Sequence, residues 1–171
     1  MERFIRSLSD ESIPILCKDV YRRFFEQAPT GQNYFKQSVT RLFFIASKVM
    51  EMCMEIYQRP RELMEDISAL GLRHVGYAVP TELFMPFVEA WSQAIQQLNV
   101  EPKTSSSIRW ALTLISKCLM RTILEGSTLV MKAINTNSAS KFRKAIAVTS
   151  RKKREQELLK VTAAGHEHFI V

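Results

Sequence analysis

Apolar side chains recur along this chain at spacings of three and four, the period of an α-helix with one buried face, and not at the alternating period of a strand. Leu16, Val20 and Phe24 mark a helix from Ser12, a candidate N-cap, to Gln27. Ala28-Pro29 ends it, because proline disfavours a helical residue before it. A second helix is predicted over Ser38–Tyr57, with Leu42, Ile45, Val49, Met52, Cys53 and Ile56 on one stripe. Pro60 suits the first turn of a third, which carries Leu63, Ile67 and Leu70 and stops near Gly71. Thr81 is placed to cap a fourth, in which Phe84, Phe87, Val88, Trp91 and Ile95 face inward. The fifth begins in the serine run 105–107 and passes through Trp110, Leu114, Ile115, Cys118, Leu119 and Ile123 to about Asn135. No repeat or heptad run is present, so the pattern predicts an all-α globular assembly and not a coiled coil or a solenoid.

Past Asn135 the composition turns small and polar and then basic, which sets an expected boundary between a domain at 1–135 and a C-terminal extension at 136–171. Phe142, Ile146, Leu158 and Leu159 give Lys141–Lys160 an apolar face and predict a sixth helix, weakened at Val148-Thr149-Ser150. A chain of 171 residues, 46% apolar and 24% charged, has the length and composition of one soluble domain. No segment approaches the roughly 18 apolar residues of a membrane span, so an integral membrane protein is not expected. The opening MERFIRSLSDES lacks the apolar block of a secretory leader, and Cys17, Cys53 and Cys118 stand far apart in apolar company; both point to a reducing, cytoplasmic setting.

The net charge of +7 is unevenly distributed. Residues 141–171 hold eight of the 24 Lys and Arg and three of the 17 acids, so five of the seven net positive charges lie there. The basicity belongs to the tail, and a nucleic-acid-binding domain is not expected. What remains is the run Arg151-Lys152-Lys153-Arg154, which could serve a protein partner or an anionic surface. No G-x-S-x-G, P-loop, H-E-x-x-H or paired-cysteine motif is present.

His74 is the single histidine outside the last six residues, in the setting LGLRHVGYAV. Landmarks stand around it in a fixed order. Pro29 is followed six residues later by Phe35 in PTGQNYF; Tyr21 lies eight before that proline; Ile45 lies 29 before His74, with Val49 one turn on; Val79 and Phe84 follow in VPTELF. Over roughly residues 12–134 this arrangement resembles the globin family, in which a helix ends in a histidine that ligates haem iron. The resemblance implies a globin-like fold and haem b with its iron on His74. It also implies Phe35 flat on the haem, Ile45 and Val49 on the gas side, Tyr21 facing the bound gas, and Val79 and Phe84 at the corner beyond. Trp110 corresponds to an aromatic residue early in the last helix.

The chemistry of the residues agrees with that implication. Haem is a flat, mostly apolar disc that needs apolar walls on both faces and one neutral imidazole. Phe35, Phe44, Val49, Val79, Phe84 and Leu114 are candidate walls, and the second ring nitrogen of His74 needs an acceptor, commonly a backbone carbonyl. There are two departures from the family pattern. Only ten residues lead from Phe35 to Ile45, about half the number in familiar vertebrate globins, so the region between the early helices is cut short. The distal position is Ile45, which neither donates a hydrogen bond nor ligates iron, leaving Tyr21 as the donor to a bound gas.

The function implied is reversible binding of oxygen or another diatomic gas. Two other outputs stay open: a sensory module signalling through residues 136–171, and nitric oxide dioxygenation with a separate reductase. Lys48 is a further candidate, for a haem propionate, and His166-Glu167-His168 for weak metal binding at the chain end.

Overall fold

The structure, a computed structural model, describes residues 1–9, 11–36 and 38–165; His166 and His168 lie outside them. Among the described residues it is all-α, with no strand. The helices are α1 (Glu2–Ser7), α2 (Ser12–Gln27), α3 (Val39–Gln58), α4 (Pro60–Gly76), α5 (Phe84–Gln96), α6 (Pro102–Gly126), α7 (Leu129–Asn135), α8 (Ala139–Val148) and α9 (Arg151–Gly165), with short 3₁₀ turns at Pro29–Asn33 and Thr81–Leu83. They divide into two compact units. Unit 1 comprises the described residues up to Leu63 together with 81–117; unit 2 comprises 64–80 and those from Cys118 onward.

In unit 1, α2 packs along α5 and against α3. Leu16, Val20 and Phe24 recur every fourth residue on α2 and are buried, as are Val88, Trp91, Ala94 and Ile95 on α5. Phe24 meets Phe35 and Phe87 edge to face, at centroid distances of 5.5 and 5.4 Å, the arrangement that ring quadrupoles favour. Ser38 caps α3 by accepting from the Arg41 N–H. In unit 2, α7 packs on α8 and α9, and the core is aliphatic: Ile67, Leu72, Val75, Leu119, Ile123, Val130 and Met131.

Local chemistry moved several helix ends. Ser12 does not cap α2. It is the first helical residue, and Ser9 takes the capping role: its Oγ accepts from the Ser12 N–H at 3.1 Å and its carbonyl accepts from Ile13. α4 does not stop near Gly71 but continues to Gly76. A Cβ on Gly71 would lie 2.7 Å from Cβ of Thr122 on α6, so the glycine serves close helix approach within unit 2 and not termination. Thr81 opens a 3₁₀ turn and does not cap α5, and α6 begins at Pro102, before the serine run. The fifth predicted helix is two, because Thr128 turns extended and caps α7 through Met131 N–H. The sixth is also two. Thr149 is extended, its hydroxyl donates to Ala145 O at 2.7 Å, and Arg154 Nε donates to Thr149 O at 2.9 Å, so side chains take up the carbonyls that a continuous helix would use.

Candidate functional site

His74 stands in the last turn of α4, and its orientation follows from backbone chemistry. Its Nδ1 lies 2.8 Å from the carbonyl oxygen of Leu70, one turn back. A carbonyl only accepts, so Nδ1 carries the proton and the lone pair of the neutral ring resides on Nε2. Burial pushes the His74 pKa below the ordinary imidazole value; the Leu70 bond works the other way and Arg73 adds to the lowering. The ring is thereby held as the neutral tautomer whose Nε2 can bind a metal.

The chain beyond the histidine is fixed in the same turn. Val79 N–H donates to His74 O at 3.2 Å and Ala78 N–H to Val75 O at 3.1 Å, the paired bonds of a Schellman termination. Ala78 occupies its left-handed position at φ 52°. The same termination after α7 uses Asn137, a residue type whose short polar side chain can hydrogen-bond locally and that visits this region far more readily than alanine does. The strained alanine therefore lies four residues from the candidate ligand, where the helix end sets the position of both His74 and Val79.

The other sequence-predicted residues, Val79 apart, belong to unit 1. Tyr21 is buried at 5% exposure, and its hydroxyl donates to the carbonyl of Leu42 in the first turn of α3 at 3.1 Å. Burial, reinforced by Cys17, raises its pKa well above the ordinary phenol value, so the hydroxyl stays a proton donor. Phe35 is half-buried and shares one aromatic cluster with Tyr21 at 5.7 Å and with Phe87 at 6.2 Å, the latter stacked. Ile45 and Val49 are half-buried one turn apart on α3, and Phe84 is half-buried at the start of α5.

Two candidate walls face outward in part: Phe44, 48% exposed with the Arg41 guanidinium 5.1 Å over its ring, and Leu114, 37% exposed. Trp110 is exposed beside Tyr57. Lys48 pairs with Glu51, its neighbour on the same helix. The carbonyl of Leu42 and the left-handed Ala78 carry no sequence signal, since one is a backbone atom and the other a residue that does not favour that conformation.

Among the described residues no three His, Cys, Asp or Glu side chains converge. One prepared imidazole suits a metal that brings its remaining ligands with it, as in a macrocycle. Comparison of the chain with protein-family models, with curated protein sequences and with solved structures finds no match.

Proposed function

We propose that this chain is a globin-like haem protein that binds a diatomic gas reversibly, oxygen first and nitric oxide or carbon monoxide second. The observation that carries the reading is the His74 ring: Nδ1–H is tied to Leu70 O, and the neutral form is favoured by burial. That is the donor chemistry that would let one histidine hold the iron, since its second nitrogen is held by an acceptor that fixes the tautomer and raises basicity at the first. The residues present fit haem b on that ground. The register of the globin resemblance assigns its apolar contacts to Phe35, Ile45, Val49, Val79 and Phe84.

When bound, haem supplies an iron site at which a small gas adds and leaves without covalent change to the protein. Ile45 and Val49 carry no donor atom that could occupy that site, so no side chain there competes with the gas. Tyr21 is the one hydroxyl that the resemblance directs to the gas. Its proton is held by Leu42 O, so donation to a gas requires that bond to be exchanged.

The test is reconstitution of the full chain with haemin, followed by absorption spectra and gel filtration. The wild type takes up haem with a histidine-type Soret band. His74→Ala loses the haem on the column while its far-UV circular dichroism is unchanged, and free imidazole restores the band. A histidine-type spectrum retained by His74→Ala without imidazole, or no haem uptake by the wild type, overturns the reading.

A further inference from the structure

From Gly126 to Arg154 the chain holds eight Lys and Arg and no acid. Unit 2 gathers six of these cations at one corner. Lys141, Arg143 and Lys144 lie on α8 and Arg151, Lys152 and Lys153 in the first turn of α9, on either side of the short turn at Thr149-Ser150, and all six are exposed. None of the six has a carboxylate partner among the described residues, whereas Arg121 of the same unit pairs with Glu125. At about 3.6 residues per turn the three cations of α8 share an outer arc with Ala147 and Val148, while Phe142, Ala145 and Ile146 take the inner arc, buried or half-buried, and α8 packs on α7. Val148, 76% exposed, is an aliphatic side chain set among the cations.

We propose that this corner docks unit 2 on the surface of an anionic phospholipid bilayer, with the six cations at the headgroups and Val148 at the acyl boundary. Clusters of roughly four to eight Lys and Arg are what an anionic leaflet attracts, each cation adding roughly fivefold to the affinity. Like charges crowded at one corner repel, and an anionic surface removes that cost. Two other polyanions fit the corner less well. A single-stranded nucleic acid is held by exposed rings between the cations, and the ring of this region, Phe142, is half-buried on the inner arc. A stable protein interface has an apolar, often aromatic centre from which charge is depleted, and this surface is the reverse. At a bilayer, Val148 leaves water as the cations are neutralised, a gain that a phosphate backbone does not offer. No described helix is long and apolar enough to cross a membrane, and the contact proposed is with the surface. The inference rests on unit 2 alone and stands apart from the haem reading.

The test is flotation of the full chain with vesicles of phosphatidylcholine, alone or with about 30% phosphatidylserine. Saturable binding is expected to the mixed vesicles and not to phosphatidylcholine alone, with loss when NaCl is raised from about 0.1 to about 0.5 M. The charge reversal Arg151→Glu/Lys152→Glu/Lys153→Glu lowers the affinity about a hundredfold or more, and it places acids where the α9 dipole favours them, so the loss is not one of folding. Should that variant not fold by circular dichroism, Lys141→Gln/Lys144→Gln on α8 is the substitute, with a loss of about tenfold or more. Val148→Ser weakens vesicle binding about threefold, and Val148→Trp adds a fluorescence that bromine-labelled acyl chains quench. Equal binding to the two kinds of vesicle, no binding to either, or binding that persists at the higher salt overturns the proposal. So does affinity unchanged in a folded charge variant, or no quenching in Val148→Trp. A DNA duplex or polyglutamate that holds the chain more tightly than the mixed vesicles at equal anion concentration also overturns it, the first marking a nucleic-acid surface and the second an acidic protein partner.

Discussion

The α2–α5 contact of unit 1 and the α7–α8–α9 assembly of unit 2 are both helix packings, made from different side chains. In the first, Tyr21, Phe24, Phe25, Phe35 and Phe87 form a continuous cluster of rings, and Phe87 passes it on to Trp91 edge to face at 6.4 Å. In the second, the described aromatics are an exposed Tyr77 and a half-buried Phe142, and the buried hydrophobic side chains are aliphatic or alanine. Ends and polar anchors do more of the work there. Thr128 caps α7 and donates at 2.5 Å to Glu157, a carboxylate only 9% exposed on α9, while Ser138 caps α8. α9 opens on Arg151, Lys152, Lys153 and Arg154, cations placed at the end of the helix where the macrodipole favours anions. A helix that starts against its own dipole depends on its docking. The comparison teaches that unit 1 concentrates its stability in a few large side chains and that unit 2 spreads it over many small contacts and a few polar ties.

The strongest way to break that contrast is at its largest side chain. Phe24 is fully buried, and Phe24→Ala is expected to cost about 3–5 kcal/mol, measured by urea unfolding followed by tryptophan fluorescence, since Trp91 and Trp110 both report on unit 1. A cost under about 1 kcal/mol would show that the ring cluster is not what holds α2 to α5.

Next come two glycines at which the same substitution meets a ring in one unit and an aliphatic carbon in the other. A Cβ on Gly31 would lie 2.7 Å from the edge of the Phe24 ring, and one on Gly71 would lie 2.7 Å from Thr122 Cβ. Each Gly→Ala is expected to destabilise by about 1–3 kcal/mol through overpacking. In α4 this opposes a helix-propensity gain of about 1 kcal/mol, so Gly71→Ala is the milder of the two. Thermal melts of both variants rank them, and a stabilised Gly71→Ala would mean that α4 and α6 have room to separate.

Smaller again is the polar tie of unit 2. Thr128→Ala removes the α7 cap and leaves buried Glu157 without its hydroxyl donor, with an expected loss of about 1–2 kcal/mol; Thr128→Ser should retain most of the stability. Hydrogen exchange of the α7 and α9 amides reads the change locally, and unaltered protection in both helices would remove the tie from the account.

A probe that leaves the sequence unchanged is alkaline pH on the buried thiols of unit 1. Burial pushes Cys17 from the ordinary 9.0 up to about 11 and Cys53 up to about 12. Between pH 9 and those values the unfolded chain releases these protons and the folded one keeps them. Their contribution is therefore present below pH 9 and is lost as pH rises through 11 to 12. The urea midpoint should fall over that range, and Cys17→Ala/Cys53→Ala should flatten the fall. An equally steep fall in the double variant would assign the alkaline loss to other groups.

Much of this architecture was legible along the chain. α2 runs from Ser12 to Gln27 as its period and the Ala28-Pro29 stop require, α3 starts after Ser38, and His74 was visible as the single histidine outside the last six residues, although the helix that carries it was expected to stop near Gly71. α1 was not foreseen, because six residues without a buried side chain leave no period to detect. The division after Gly126 was hidden because apolar positions continue at helical spacing across it, from Ile123 to Val130 and Met131.

The sequence by itself determined the helical class, the apolar faces and the position of His74 as the single histidine outside the last six residues, since hydrophobic period, proline stops and residue type are local properties that survive any arrangement of the helices. The tertiary structure decided what local properties leave undetermined. Gly71 lies within a helix because Thr122 approaches it, and the Tyr21 hydroxyl meets the carbonyl of Leu42, a backbone atom no side-chain pattern encodes. Ala78 takes a left-handed turn that its side chain disfavours, because two hydrogen bonds at the end of α4 hold it there. In each case the deciding term is an interaction whose partner becomes known only once the chain is folded.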